Sequence, residues 1–127
     1  MTDCLDSWAI LGWLEGSEPA AGRVERALAS GPVMSWISVG EVASIVERMA
    51  DAERARHVVQ QLRHQIELDL PSESRVLEAA RIKARCPMAY ADAFAVATAL
   101  AHDAVILTGD PEILEAGGPW LTDDLRS

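Results

Sequence analysis

The sequence predicts an α/β protein of three layers, with a central, mostly parallel, twisted sheet of four to five strands and helices on both faces. The main observation is that short apolar runs alternate with longer segments of helical periodicity, which is typical of parallel sheets. The second is size, because 127 residues, 50% hydrophobic and 24% charged, suit one folded domain spanning residues 1–127. No repeat or linker-like segment divides the chain.

The first third of the chain predicts one strand and two helices. Residues 3–6 form a short strand that ends at an Asp-Ser pair. Residues 8–14 would be apolar on nearly every side of a helix, which indicates burial on more than one side. Pro19 begins the next helix, because proline is well tolerated in a first turn, and the helix ends at Gly31.

The middle of the chain predicts a buried strand at residues 33–37, followed by two helices. A capping-box pattern from Ser38 to Glu41 would open the first helix, whose apolar positions continue to Met49. The second helix carries an apolar stripe over residues 55–66.

The last part of the chain completes the alternation of strands and helices. It predicts a strand at residues 66–70 and helices at 72–85 and 90–102. A strand at 104–108 and an edge strand at 119–121 follow. The first of these helices ends before Pro87, since the residue before a proline avoids the helical conformation. Asp110 and Pro111 turn into a short helical segment after the strand at 104–108.

Charge and cysteine content exclude several classes of protein. With 11 basic and 20 acidic residues, the net charge of −9 argues against a passive nucleic-acid binder, whose affinity rests on cationic side chains. It leaves open an enzyme that approaches phosphate through bound cations. Cys4 and Cys86 are too few for a disulfide framework and match no zinc spacing. We expect no membrane span and a cytoplasmic location.

Four acidic residues lie where parallel sheets place their ligands. Asp6, Glu41 and Asp110 follow predicted strands within a few residues, and Asp92 lies in the first turn of a helix. Carboxylate oxygens are the ligands that Mg²⁺ and Mn²⁺ prefer. Two carboxylates about 4 Å apart repel by about 4 kcal/mol at an effective dielectric constant near 20, so such a cluster would take up protons or hold a cation.

Spacing alone leaves a second interpretation open. Asp and Ser are favoured at helix N-caps, and acids in a first helical turn are stabilised by the helix dipole. Asp6, Asp92 and Asp110 all fit that description, and Glu41 fits the capping box.

The residues around these acids resemble a PIN domain from about residue 3 to residue 115. The resemblance rests on four segments, Leu5-Asp6-Ser7, Ser38-x-x-Glu41-Val42, residues 90–99 and Leu107-Thr108-Gly109-Asp110-Pro111. The size and the Glu18-Pro19 connection are similar to the small VapC-type toxins of type II toxin–antitoxin systems. Trp8 and Ala89 depart from the common pattern, and the loss of a hydroxyl at Ala89 puts a phosphate or metal-shell contact in doubt.

The resemblance implies an endoribonuclease that depends on Mg²⁺ or Mn²⁺ and hydrolyses RNA with metal-activated water. Asp6 and Asp92 would be the principal metal ligands, and Glu41 and Asp110 would complete the metal shell or orient water. Ser7 and Thr108 match accessory hydroxyl positions. The implied partners are a VapB-type antitoxin, an RNA substrate (tRNA, rRNA or mRNA) and a second copy in a homodimer, with DNA bound only through the antitoxin.

Two other functions remain open at this point. The first is a catalytically weak protein of the same fold that binds RNA or serves as a scaffold. The second is a phosphoryl-transfer domain of receiver or haloacid-dehalogenase type, which also groups acids at strand ends. Lys83, the only lysine, lies on a predicted helix rather than after a strand, which counts against the second alternative.

Overall fold

The computed structural model describes all residues from 1 to 127. It contains five strands and seven helices, whose bounds in chain order are β1 (Asp3–Leu5), α1 (Ser7–Glu15), α2 (Ala20–Leu28), β2 (Val33–Ser35), α3 (Trp36–Met49), α4 (Ala52–Gln65), β3 (Glu67–Asp69), α5 (Glu73–Arg85), α6 (Tyr90–Ala101), β4 (Val105–Thr108), α7 (Pro111–Leu114) and β5 (Leu121–Asp124). None of the helices has the length and apolarity needed to cross a membrane.

The sheet is five-stranded and parallel throughout, in the order β3-β2-β1-β4-β5. In the centre, Leu5 of β1 is aligned with Met34 of β2 and Leu107 of β4. The predicted α/β class and its count of four to five strands are therefore confirmed. The carboxyl ends of β1, β2 and β4 lie side by side, which gathers the residues that follow these strands at one edge.

Alternate residues of the central strands face two separate apolar clusters. Leu5, Met34 and Leu107 belong to a cluster shared with α1 to α4, and Cys4 and Ile106 belong to one shared with α5 to α7. This division follows from the period of two along a strand, which sends successive side chains to opposite faces. The helices therefore cover both faces of the sheet, as the sequence predicts.

The start of α3 differs from its prediction. The helix begins at Trp36, and the hydroxyl of Ser35 accepts a hydrogen bond from the backbone N–H of Ile37 at 3.1 Å. Ser38 is buried within the helix, and its hydroxyl lacks a hydrogen-bond partner, so the capping-box interpretation of Ser38 and Glu41 is wrong. The sheet explains the difference, because β2 ends at Ser35 and the chain turns into the helix there.

Candidate functional site

Asp6 joins the end of β1 to the end of β4. One carboxylate oxygen accepts the backbone N–H of Ala9 at 2.8 Å, which caps α1, and the other accepts the hydroxyl of Thr108. The Thr108 oxygen also accepts the backbone N–H of Asp110 at 2.9 Å. Asp6 is only 2% exposed, so these bonds hold its carboxylate in a fixed position at the edge of the sheet.

Ser7 connects the same edge to α3. Its hydroxyl donates to the Oε1 atom of Glu41 at 2.8 Å, across 34 residues of sequence. Glu41 lies in the second turn of α3, which places its carboxylate beyond the end of β2. Since carboxylates have two oxygens and each accepts more than one partner, this bond leaves Glu41 able to contact a further group.

Asp92 and Asp110 come together from α6 and the start of α7. Their carboxylate oxygens and one of Glu112 all lie within 4.8 Å of one another. Asp110 caps α7 through the backbone N–H of Glu112, at 2.9 Å. Glu112 in turn accepts the backbone N–H of Ala89 at 3.2 Å, at the start of α6. The loop that follows β4 is thus tied directly to the helix that carries Asp92.

The electrostatics link the four predicted acids. Burial raises the pKa of Asp6 to about 7, a rise that the hydrogen bonds from Thr108 and Ala9 oppose and the charges of Asp110 and Glu41 increase. Burial also raises the pKa of Asp92 to about 8, with further contributions from Asp110, Glu41 and Asp6. The carboxylates are therefore close enough to disfavour each other's charged forms.

No positive charge of the chain offsets this repulsion. None of its ion pairs includes Asp6, Glu41, Asp92, Asp110 or Glu112. A set of oxygen donors with excess negative charge fits a hard divalent cation such as Mg²⁺ or Mn²⁺ and does not fit a thiolate- or imidazole-preferring metal. The residues at this edge of the sheet therefore suit the cation that the sequence predicts.

Helix capping and a shared cation site, the two interpretations of the acidic residues, involve the same carboxylates. Asp6 and Asp110 do cap helices, yet capping directs their carboxylates toward Asp92 rather than into solvent. Asp92 itself caps nothing, because the N-cap residue of α6 is Ala89, and the helix start has no side-chain cap. A buried acid without a capping role is the feature that distinguishes a cluster from a series of caps.

Glu112 is the acid that the sequence does not single out as a site residue. Its position two residues after Asp110 looks like an ordinary acid in a first helical turn. Only the tertiary contact between α7 and the start of α6 brings it to Asp92. The pair Asp110 and Glu112, both in the first turn after β4, is the one signal in the sequence that could have suggested it.

Trp8 packs against the loop that carries Asp110. The backbone of Gly109 lies so close to the Trp8 indole that a Cβ atom added at Gly109 would overlap the ring. Gly109 stands between Thr108 and Asp110, both of which take part in the hydrogen bonds at the sheet edge. The large residue at position 8 and the glycine at position 109 are therefore matched in size.

We expect Gly109→Ala to lower the free energy of unfolding by about 1–3 kcal/mol, the range seen when a packed contact is overfilled. The displaced loop should also weaken binding of Mn²⁺, measured by isothermal titration calorimetry alongside thermal unfolding. The double variant Trp8→Leu, Gly109→Ala should recover part of both losses, since the smaller side chain leaves room for the methyl group. Strictly additive losses would contradict this pairing.

Comparisons with known proteins agree with the architecture. A family model described as PIN domain matches residues 4–119. No curated relative matches the sequence. The fold is similar to VapBC2 from Rickettsia felis bound to a promoter DNA fragment, with a TM-score of 0.79 and 11% identity over 99% of this chain and 100% of that one.

Two further solved structures show the same likeness. VapBC-1 from nontypeable Haemophilus influenzae gives a TM-score of 0.75 with 22% identity over 98% of each chain. Mycobacterium tuberculosis VapC20, described as a toxin that cleaves the sarcin–ricin loop, gives 0.74 with 16% identity over 91% of this chain and 95% of that one. At sequence identities this low, the similarity shows a shared fold and nothing further.

Proposed function

This chain belongs to the PIN domain family, and from that premise we propose that it is a VapC-type toxin that hydrolyses RNA with Mg²⁺ or Mn²⁺. The observation that carries the proposal is the gathering of Asp6, Asp92 and Asp110 beyond the carboxyl ends of neighbouring strands. Such a cluster gives a cation the oxygen donors that it needs and repels unaccompanied phosphate. The VapC20 neighbour, described as a toxin that cleaves the sarcin–ricin loop, supports this proposal.

The chain's residues would divide the work at this site. Asp92 and Asp6 would hold the cation, with Glu41 and Asp110 completing its shell or orienting the attacking water. Ser7 and Thr108 act on the acids rather than on RNA, because their hydroxyls donate to Glu41 and Asp6. A bound divalent ion supplies Lewis-acid chemistry, which activates water and stabilises the leaving oxygen.

The proposal predicts the chemistry of the products. Water attack on phosphorus would leave 5′-phosphate and 3′-hydroxyl ends and would not use the ribose 2′-hydroxyl. The experiment is to incubate the purified chain with RNA and Mn²⁺ or EDTA and to sequence the ends. Cleavage that continues in EDTA, or that leaves 2′,3′-cyclic phosphate, would contradict the mechanism. Cation-independent RNA binding without cleavage would favour the catalytically weak alternative.

An apolar groove between α1, α3 and α4 supports the proposal of an antitoxin partner. It has a volume of about 160 Å³, and its lining includes Leu11, Leu14, Ile45 and Met49. Met49 is 77% exposed, which is unusual for a large apolar side chain. We propose that an amphipathic segment of a VapB-type antitoxin packs here, while another part of the same peptide occupies the acidic cleft.

Met49→Asp should therefore weaken antitoxin binding by about tenfold or more, since burying a carboxylate in a largely apolar interface is costly. Surface plasmon resonance with the antitoxin encoded beside this chain measures the change, and RNA cleavage by the free toxin should remain intact. Leu121→Asp is the matched control, because Leu121 is 56% exposed on β5, away from the groove. Equal losses in both variants would point to general apolar exposure.

The remaining partners follow from the same proposal. We propose a homodimer, and sedimentation velocity is the measurement. Operator DNA would be bound only through the antitoxin, because this chain carries a net charge of −9. The proposed toxin would work in the cytoplasm, where its RNA substrates are found.

A further inference from the structure

A cavity of about 310 Å³ lies outside the acidic site, between α5, the later part of α6 and residues 118–120. Much of its lining is apolar, with Ile82, Leu100, Pro119 and Trp120 among the residues that form it. The volume lies at the lower end of the range of about 300–1,000 Å³ typical of small-molecule sites. The cavity therefore has room for one ring system with its substituents.

The indole of Trp120 is held in position by its own loop. It lies against Gly118 so closely that a Cβ atom added there would overlap the ring. Trp120 also packs at the edge of the apolar cluster beneath α5 and α6. A fixed aromatic ring that lines a cavity is a surface on which a nucleic-acid base can stack, whatever its sequence.

Two arginines without carboxylate partners border the same cavity. Arg81 and Arg85 lie four residues apart on α5, so their side chains occupy the same face of the helix. Neither takes part in an ion pair, whereas Arg23, Arg75 and Arg126 are all paired with aspartates. Guanidinium groups match the geometry of phosphate, which makes this pair available to an anionic ligand.

Glu78 is the one acidic residue in the lining. It lies one helical turn before Arg81 and two before Arg85, at the other end of the cavity's α5 wall. The lining therefore keeps an excess of one positive charge in a chain whose net charge is −9.

The Cys86 end of the cavity lies close to the acidic site in the chain. Cys86 belongs to its lining, and three residues later the N–H of Ala89 donates to Glu112, whose carboxylate lies with Asp92 and Asp110. Three residues of chain span at most about 11 Å even when fully extended. A strand of RNA a few nucleotides long could therefore contact the cavity and the acidic site together.

We propose that this cavity binds one nucleotide of the single-stranded RNA that flanks the bond to be cleaved, with its base against Trp120 and its phosphate between Arg81 and Arg85. The inference rests on the proposed function, since it assigns a further contact to the same substrate. The two neighbouring guanidinium groups favour RNA as the ligand, because an apolar peptide would leave both of them without an anionic partner.

The test measures RNA binding rather than cleavage. A fluorescent single-stranded RNA of mixed sequence is titrated in EDTA with the full-length chain, and the dissociation constant is followed as salt is varied. Arg81→Gln with Arg85→Gln should weaken binding by about tenfold and reduce the slope of log K against log salt by about 0.7, the value for one phosphate contact on a single strand. Glu78→Gln should strengthen binding.

Two controls separate this site from general charge. Arg48→Gln with Arg56→Gln removes the same charge from exposed, unpaired positions on α3 and α4, and it should change RNA affinity by less than about twofold. Quenching of tryptophan fluorescence by RNA should be lost in Trp120→Phe, while the other three tryptophans remain as an internal reference.

Equal weakening in both double variants would overturn the inference, and so would the absence of RNA binding by the unaltered chain. Loss of antitoxin binding in the Arg81 and Arg85 variant, with RNA affinity unchanged, would assign the cavity to a protein partner and overturn it as well. If any of these results is obtained while the chain still cleaves RNA with metal, the inference is refuted and the proposed function is retained. Binding that depends on the cavity in a chain that never cleaves RNA would support the inference and refute the nuclease.

Discussion

Replacing Asp92 with asparagine is expected to reduce metal-dependent RNA cleavage by about a hundredfold or more. Asp92 lies among the oxygens of Asp110 and Glu112. Burial, the neighbouring acids and a hydrogen bond with Asp110 all raise its pKa, and no cation of the chain lowers it. The amide keeps the size of the side chain and removes the charge that would hold the cation. Even outer partners of metal ligands cost about 10–100-fold when lost, so a ligand should cost more.

Asp92 tests the mechanism more cleanly than Asp6. Asp6 caps α1 and accepts the hydroxyl of Thr108, so Asp6→Asn would disturb local structure as well as charge. Asp92 caps no helix. Glu53→Gln, at an exposed position in the first turn of α4, removes one negative charge as a matched control. Initial rates of RNA cleavage at several Mn²⁺ concentrations measure the effect, and undiminished cleavage by Asp92→Asn would refute the proposed role.

The parallel sheet could be predicted because its signals are local. Each strand is a short apolar run beside a helix-periodic segment, and that alternation specifies the class without knowledge of any tertiary contact. The placement of Asp6 and Asp110 follows from the same logic, since both come directly after central strands. Residues that follow neighbouring parallel strands meet at one edge whatever the details of packing.

Features that depend on contacts between distant segments could not be predicted. Two serines three residues apart could each begin α3, and the end of β2 decides in favour of Ser35 over Ser38. Glu112 joins the acidic cluster only because its carboxylate reaches the N–H of Ala89. The match of Trp8 with Gly109 spans 101 residues, a pairing for which a single sequence carries no signal.

The last prediction concerns pH. The pKa values of Asp6 and Asp92 rise from 3.8 to about 7 and about 8 in the folded chain, so the folded state binds more protons than the unfolded state between about pH 4 and pH 8. Without metal, these groups should lower stability as pH rises through that window. The slope is at most about 1.4 kcal/mol per pH unit for each carboxyl group, and solvent screening reduces it.

Thermal unfolding of the unaltered chain and Asp92→Asn, measured in EDTA from pH 5 to pH 8, isolates this effect. Carboxylates outside the acidic cluster contribute equally to both proteins, and loss of the Asp92 charge also relieves repulsion on its neighbours. The difference in unfolding free energy should therefore grow with pH in favour of the variant. Mn²⁺ at about 100 times its dissociation constant should restore about 2.7 kcal/mol to the unaltered chain. It should restore much less to the variant. A metal-free difference that stays constant with pH would show that Asp92 is already ionised without cost, and the carboxylates would then lack the mutual repulsion on which cation binding depends.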